Sequence, residues 1–274
     1  MPTHTAMRYV QPLREGGSLP AVVDTRDGLY VAKFRGSGQG AKALVAELVV
    51  GLIADEIGLP VPALALIDVP PPFGLSEPDP EIQDLLRASE GLNVGLRYLD
   101  GAFNFALRAA AEAVTPELAA RLVWLDAFVT NPDRSPRNPN LLVHDRKLWL
   151  IDHGAALYAH HDWASVDEKR TRAPFPLIED HVLLTVSGDL LAADAECAAT
   201  LAGDVLEHVL AAVPDALLMD PVAARDFASA DDARERYVRY LRERLREPRA
   251  FVAAAVAARA RRLAEPPRQM KARR

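Results

Sequence analysis

The chain has 274 residues, 50% of them hydrophobic, and a formal net charge of -6. That length allows two lobes around one cleft and a sizeable core, and the acidic balance argues against a general nucleic-acid binder, which is ordinarily basic. The single Cys197 excludes an internal disulfide and a multi-cysteine zinc site, and it fits a reducing, cytoplasmic setting.

Met1 to Leu13 contains no apolar signal core. The most apolar run, Leu44 to Ala54, is interrupted by Glu47 and followed by Asp55 and Glu56. It is too short and too charged to span a bilayer, so no membrane partner is expected.

Residues 8–35 read as short strands. Ala21-Val22-Val23 and Leu29 to Phe34 are β-rich runs joined by Asp24-Thr25-Arg26-Asp27-Gly28, which carries the Asp-Gly hairpin signal. Gly16-Gly17-Ser18 precedes the first run, and backbone N–H groups there can approach phosphates. Gly36 to Gly40 is a second glycine-rich segment, ahead of a helix whose N-terminus can hold an anion. A plain turn is the equal alternative at both. Neither is followed by the Gly-Lys-Ser/Thr of a P-loop.

Residues 41–57 place Leu44, Leu48, Leu52 and Val45, Val49, Ile53 at helical spacing, ended by Gly58 and Pro60. Val61 to Val69 reads as another strand, Pro70 to Pro80 as a proline-rich surface loop, and Leu92 to Leu99 as a further strand. A lobe boundary falls near residue 100. Glu117 to Val129 forms an amphipathic helix leading into Asn131-Pro132-Asp133-Arg134. Two short apolar runs follow, Leu141 to Val143 and Leu148 to Ile151, and they should pair as a hairpin. The chain then reads as irregular to about Ile178. From about His181 to Leu263 it reads as helical, with breaks at Pro214, Pro221 and Pro248. Arg259 to Arg274 reads as a frayed basic tail.

This order predicts an α+β, bilobal protein-kinase-like fold. Residues 1–100 form a β-rich, nucleotide-binding N-lobe with one helix. Residues 101–264 form a mostly helical, catalytic and substrate-binding C-lobe, and 265–274 form the basic tail.

The chemistry concentrates at a few positions. Lys33, on a strand, can project into a cleft and pair with nucleotide phosphates. Glu47, fourteen residues on, is a carboxylate in an apolar helix and needs a partner. Lys33 is the natural one; a local pairing with Lys42 or a solvated face is the alternative. Asp133 is the candidate that orients the acceptor hydroxyl and accepts its proton. Asp152, nineteen residues later, ends an apolar strand where a Mg²⁺ ligand is expected. The accompanying metal-binding Asn is either Asn138, five residues after Asp133, or Asn140, immediately before the strand; spacing favours Asn138. Arg134 and Arg137 either neutralise phosphate or form a solvated rim. His153, His160 and His161 lack the spacing of a zinc set. Ser165 and Thr171 are candidate phosphorylation positions by location alone.

Val31-Ala32-Lys33-Phe34, Ala46-Glu47, Ile57-Gly58-Leu59-Pro60-Val61-Pro62, Asn131-Pro132-Asp133-Arg134 and Leu150-Ile151-Asp152-His153-Gly154 together resemble the HipA-like family of serine/threonine kinases. The resemblance runs from about Val10 to Leu184. It implies an ATP- and Mg²⁺-dependent kinase with Lys33 on the phosphates, Asp133 as the catalytic Asp and Asp152 as a metal ligand. The acceptor is expected to be a protein Ser/Thr hydroxyl, the chain itself included. Ser135 stands where better-known members place a His, and His153 replaces the usual aromatic residue. The chain is short at its N-terminus for the subdomain that docks an antitoxin, so neither toxin activity nor an antitoxin partner is expected. Two alternatives stay open within the fold. One is a small-molecule kinase of the aminoglycoside-phosphotransferase type, hinted at by Glu179-Asp180-His181. The other is a nucleotide-binding pseudokinase acting as an interaction module. An unrelated helical binding protein with a β cap would require these spacings to be accidental.

Overall fold

The structure is a computed structural model that describes residues 1–13, 19–38, 40–71, 73–74, 77–107, 110–221 and 223–264. Gly16, Gly17 and Ser18, and the basic stretch 265–274, lie outside the described residues.

The N-terminal part is a six-stranded sheet: β1 (Thr3–Thr5), β2 (Arg8–Pro12), β3 (Ala21–Thr25), β4 (Gly28–Lys33), β5 (Leu64–Val69) and β6 (Gly91–Arg97). The strand order is β1-β5-β6-β4-β3-β2. All pairs are antiparallel except β1 with β5. The expected hairpin is β3–β4, closed at Thr25 opposite Gly28. Gly28 adopts φ +110°, a conformation that β-carbon-bearing residues avoid. Lys33, the last residue of β4, sits opposite Val94 of the central strand β6.

Helix α1 (Gly40–Glu56) is buried along almost its whole length. It packs against β6 and against helices near the C-terminus, so apolar residues on all its faces find a partner. Gly58, at φ +71°, turns the chain out of α1, and the Leu59 N–H donates to Ala54 O at 2.8 Å. A second helix, α2 (Pro80–Ala88), lies in the region expected to hold only one. Asp79 caps it by accepting from the Glu81 N–H, Pro80 occupies its first turn, and Ile82 and Leu86 share a buried cluster with Val23 and Ile67 of the sheet and with Phe34 just past β4.

The C-terminal part is built on α3 (Pro116–Phe128), which Thr115 caps and whose side chains from Ala119 to Phe128 are largely buried. A three-stranded sheet follows in the order β7 (Phe103–Asn104), β8 (Leu141–His144), β9 (Lys147–Leu150). Strands β8 and β9 form the expected hairpin, with Leu141 opposite Leu150. The segment after β9 holds short 3₁₀ turns and α4 (Glu168–Thr171). Then come α5 (Leu190–Thr200), α6 (Val205–Ala211), α7 (Asp215–Leu218), α8 (Ala230–Leu245) and α9 (Ala250–Ala264). Helix α3 packs on α5 and α9, and Trp124 stacks with Phe128 at 5.0 Å and meets Phe251 of α9 at 5.8 Å.

Arg259 to Ala264 are the last turns of α9, not a frayed tail. Four buried apolar side chains, Phe251, Val252, Ala255 and Ala258, hold that helix down. Thr171 is buried at the end of α4, with its hydroxyl donating to Asp167 O, whereas Ser165 is exposed. Among the described residues no helix is long and apolar enough to cross a membrane.

Candidate active site

Three charged side chains from distant parts of the chain meet where the two parts of the fold join. Lys33 leaves the end of β4, Glu47 leaves α1, and Asp152 follows β9. The Lys33 Nζ donates to Glu47 Oε2 at 2.7 Å and to Asp152 Oδ1 at 2.6 Å. Glu47 is 0% exposed and Lys33 8%. Lys42, the alternative partner of Glu47, instead donates to His160 O at 2.5 Å. Glu47 Oε2 also accepts the His153 N–H at 2.7 Å, which fixes the backbone beside Asp152.

The electrostatics follow from one ammonium between two carboxylates. Burial works against the charged Lys33, but Glu47 and then Asp152 outweigh it and raise its pKa above the usual lysine value. Burial likewise opposes the Asp152 charge, but Lys33 prevails and lowers its carboxyl pKa. Burial pushes the Glu47 carboxyl up, against the pull of Lys33. With both acids ionised the cluster carries one excess negative charge, which favours a cation beside it.

The Asp133 loop is built by its own polar side chains. The Asn131 N–H and Nδ2 donate to Asp126 at the end of α3, and Asn131 Oδ1 accepts the Asp133 N–H at 3.1 Å. The Asp133 carboxylate accepts from Asn138 Nδ2 at 2.9 and 3.0 Å and from Asn140 Nδ2 at 3.2 Å. Both amides therefore orient Asp133 and leave their carbonyl oxygens for other work. They differ in setting: Asn138 is exposed, whereas Asn140 is buried and its backbone carbonyl accepts the Ile151 N–H at 3.1 Å. Asn140 and Asp152 both adopt left-handed backbone, φ +48° and +58°, the kind of strain that collects at functional sites.

Arg134 is neither a rim residue nor free for phosphate. It is 1% exposed. Its Nε donates to Asp126 Oδ2 at 2.5 Å and its Nη1 to Asn140 O at 2.6 Å. Its Nη2 lies 3.3 Å from His153 Nδ1. The Asp126 carboxylate also accepts from His181 Nε2 at 3.0 Å. Burial pushes the His153 imidazole down to about 3, aided by Arg134, so it is neutral. Sequence reasoning missed Asp126, and it placed His181 only in an acidic cluster. A helical Asp eight residues before an Arg gives no periodic signal, and their pairing is tertiary.

The acidic cluster is also engaged elsewhere. Glu179 pairs with Arg261 at 2.8 Å, Asp180 lies 3.9 Å from Arg262, and His181 is buried on Asp126. In the glycine segment, Ser37 and Gly40 spend their N–H groups on Phe34 O and Ser37 O. A β-carbon at Gly36 would meet Ala88 Cβ at 2.7 Å, which gives that glycine a packing reason.

The donor set suits a hard divalent cation. Asp152 offers a carboxylate, and Asn138 and Asn140 offer amide oxygens. Mg²⁺ is usually held by one or two carboxylates together with substrate phosphates, rather than by a protein cage.

Comparison with known proteins adds three findings. A sequence model described as HipA-like kinase matches residues 7–171. No curated protein sequence matches the chain. The crystal structure of a Helicobacter pylori proinflammatory kinase, CtkA, superposes with a TM-score of 0.56 at 12% sequence identity, covering 97% of this chain and 100% of that one. At that identity the likeness shows the fold, a β-rich sheet part joined to a helical part.

Proposed function

The chain belongs to the HipA-like kinase family, and from that premise we propose that it transfers the γ-phosphate of ATP, with Mg²⁺, to a serine or threonine hydroxyl of a protein, itself included. One observation carries the reading. Lys33, Glu47 and Asp152, separated by up to 119 residues, converge in a single ion cluster beside an oriented Asp133. Phosphoryl transfer is mostly positioning and charge neutralisation, and these residues supply both.

In this reading residues 1–100 bind the nucleotide and 101–264 carry the catalytic loop and the acceptor. Lys33 binds the phosphates, and Glu47 keeps its ammonium in place. Asp152 and Asn140 hold Mg²⁺, which when bound neutralises charge on the phosphates. Asn140 is preferred to Asn138 because its backbone pairs with Ile151, next to Asp152. Asn138 then keeps the Asp133 carboxylate aimed. Asp133 aligns the acceptor hydroxyl and takes its proton as the new bond forms. The engagement of Glu179, Asp180 and His181 within the fold favours a protein acceptor over a small cationic one. The unpaired Cys197 fits a cytoplasmic setting.

Nucleotide titration tests the division of roles. Asp133→Asn is expected to bind Mg·ATP as the wild type does. Asp152→Asn is expected to lose about tenfold or more of the Mg²⁺-dependent tightening. Equal behaviour of the two variants contradicts the assignment.

A further inference from the structure

The Arg134 guanidinium reaches both strands of the β8–β9 hairpin at its open end. Besides the Asn140 carbonyl, its Nη1 approaches Pro139 O at 3.4 Å and Ile151 O at 3.5 Å. Asn140 and Ile151 directly flank β8 and β9, and Asp152 follows at once. A planar, forked cation is therefore inserted where two strand ends leave the sheet in left-handed backbone.

The anchor of this fork is itself closed. Asp126 accepts from Asn131, Arg134 and His181. His181 Nδ1 accepts the Leu183 N–H at 3.0 Å, so the ring proton sits on Nε2, facing Asp126. The loop is also tied to the following segment by the Val182 N–H, which donates to Arg134 O at 3.0 Å. A buried ion pair contributes little net stability compared with well-packed apolar residues. What this pair supplies is geometry: a fixed distance from α3 to both strand ends.

We infer that Arg134 is a positioning residue for the divalent cation, setting the separation of Asn140 and Asp152 through its grip on the backbone beside each. The inference rests on the metal-holding roles proposed above for those two residues. Arg134 touches neither metal nor substrate; it acts through the carbonyls it binds. Partners one layer out from metal ligands typically alter metal affinity by about 10–100-fold.

Arg134→Lys tests it, because a single ammonium lacks the planar fork that meets Asp126, the three carbonyls and His153 at once. ADP binding is measured by calorimetry without and with Mg²⁺, and the Mg²⁺ midpoint of phosphoryl transfer is measured alongside. Expected for the variant is metal-free ADP affinity within about twofold of wild type, with Mg²⁺-dependent tightening and midpoint weakened about tenfold or more. A merely structural role would lower the active fraction and leave the midpoint where it was. If Arg134→Lys does not fold, Asp126→Glu keeps the charge pair but moves its anchor by one methylene, and the same shift is expected. An unchanged midpoint in a folded variant overturns the inference alone. A wild type whose ADP affinity ignores Mg²⁺ overturns the proposed metal site and this inference with it.

Discussion

Acid should dismantle the Asp126 network in a way that can be calculated. Asp126 is fully buried and accepts three hydrogen bonds, from Asn131, Arg134 and His181. Burial alone would raise its carboxyl pKa, but Arg134, followed by His181 and Asn131, carries it down from 3.8 to about 2. A folded pKa below the unfolded one adds stability that is complete above pH 4 or so and is lost as the pH falls through 2. The full contribution is on the order of 2 kcal/mol, and about half of it is gone by pH 3. Domains of this kind have roughly 5–15 kcal/mol in all, so the loss is measurable. The assay is urea unfolding of wild type and Asp126→Asn from pH 7 to pH 3. At pH 7 the variant leaves Arg134 buried without its counter-ion and should lose about 3–5 kcal/mol. The gap between the two proteins should narrow by about 1 kcal/mol between pH 5 and pH 3, because only the wild type has a carboxyl at position 126 to protonate there. A gap independent of pH, or a variant as stable as wild type at pH 7, refutes this reasoning.

Other outcomes follow from single contacts. Lys33→Met removes the ammonium between Glu47 and Asp152; it should abolish phosphoryl transfer and weaken nucleotide binding in titrations. Cys197 is 1% exposed and burial pushes its thiol up to about 12, so a disulfide reagent at pH 8 should react only in urea, with native-state labelling as fast as in urea counting against it. Gly36→Ala forces a β-carbon against Ala88 and should cost about 1–3 kcal/mol in chemical unfolding; an unchanged midpoint would contradict a packing role for this glycine.

What the sequence disclosed divides along physical lines. Lys33 and Glu47 stand out as charges within apolar runs, where burial requires a partner, and Asp133 and Asp152 as a loop carboxylate followed nineteen residues later by one at the end of an apolar strand. The β3–β4 and β8–β9 hairpins were legible because their turns are local. Helix α2 was overlooked beside a proline-rich stretch, although Asp79-Pro80-Glu81 is a start signal and Ile82, Leu85 and Leu86 repeat at helical spacing. The parallel pairing of β1 with β5 joins residues about sixty apart and has no local signature. Arg134 reads in sequence as a phosphate-neutralising or solvated cation because nothing in the loop reveals that Asp126 and three carbonyls converge on it.

The central claim is phosphoryl transfer to a hydroxyl at Asp133. Its most direct test is incubation of the purified protein, alone and with casein, with γ-labelled ATP and Mg²⁺, beside Asp133→Asn, followed by mass mapping of the label. The expected result is label on serine or threonine with the wild type and none with the variant. Equal label from both, or no label from a wild type that binds Mg·ATP, would contradict it.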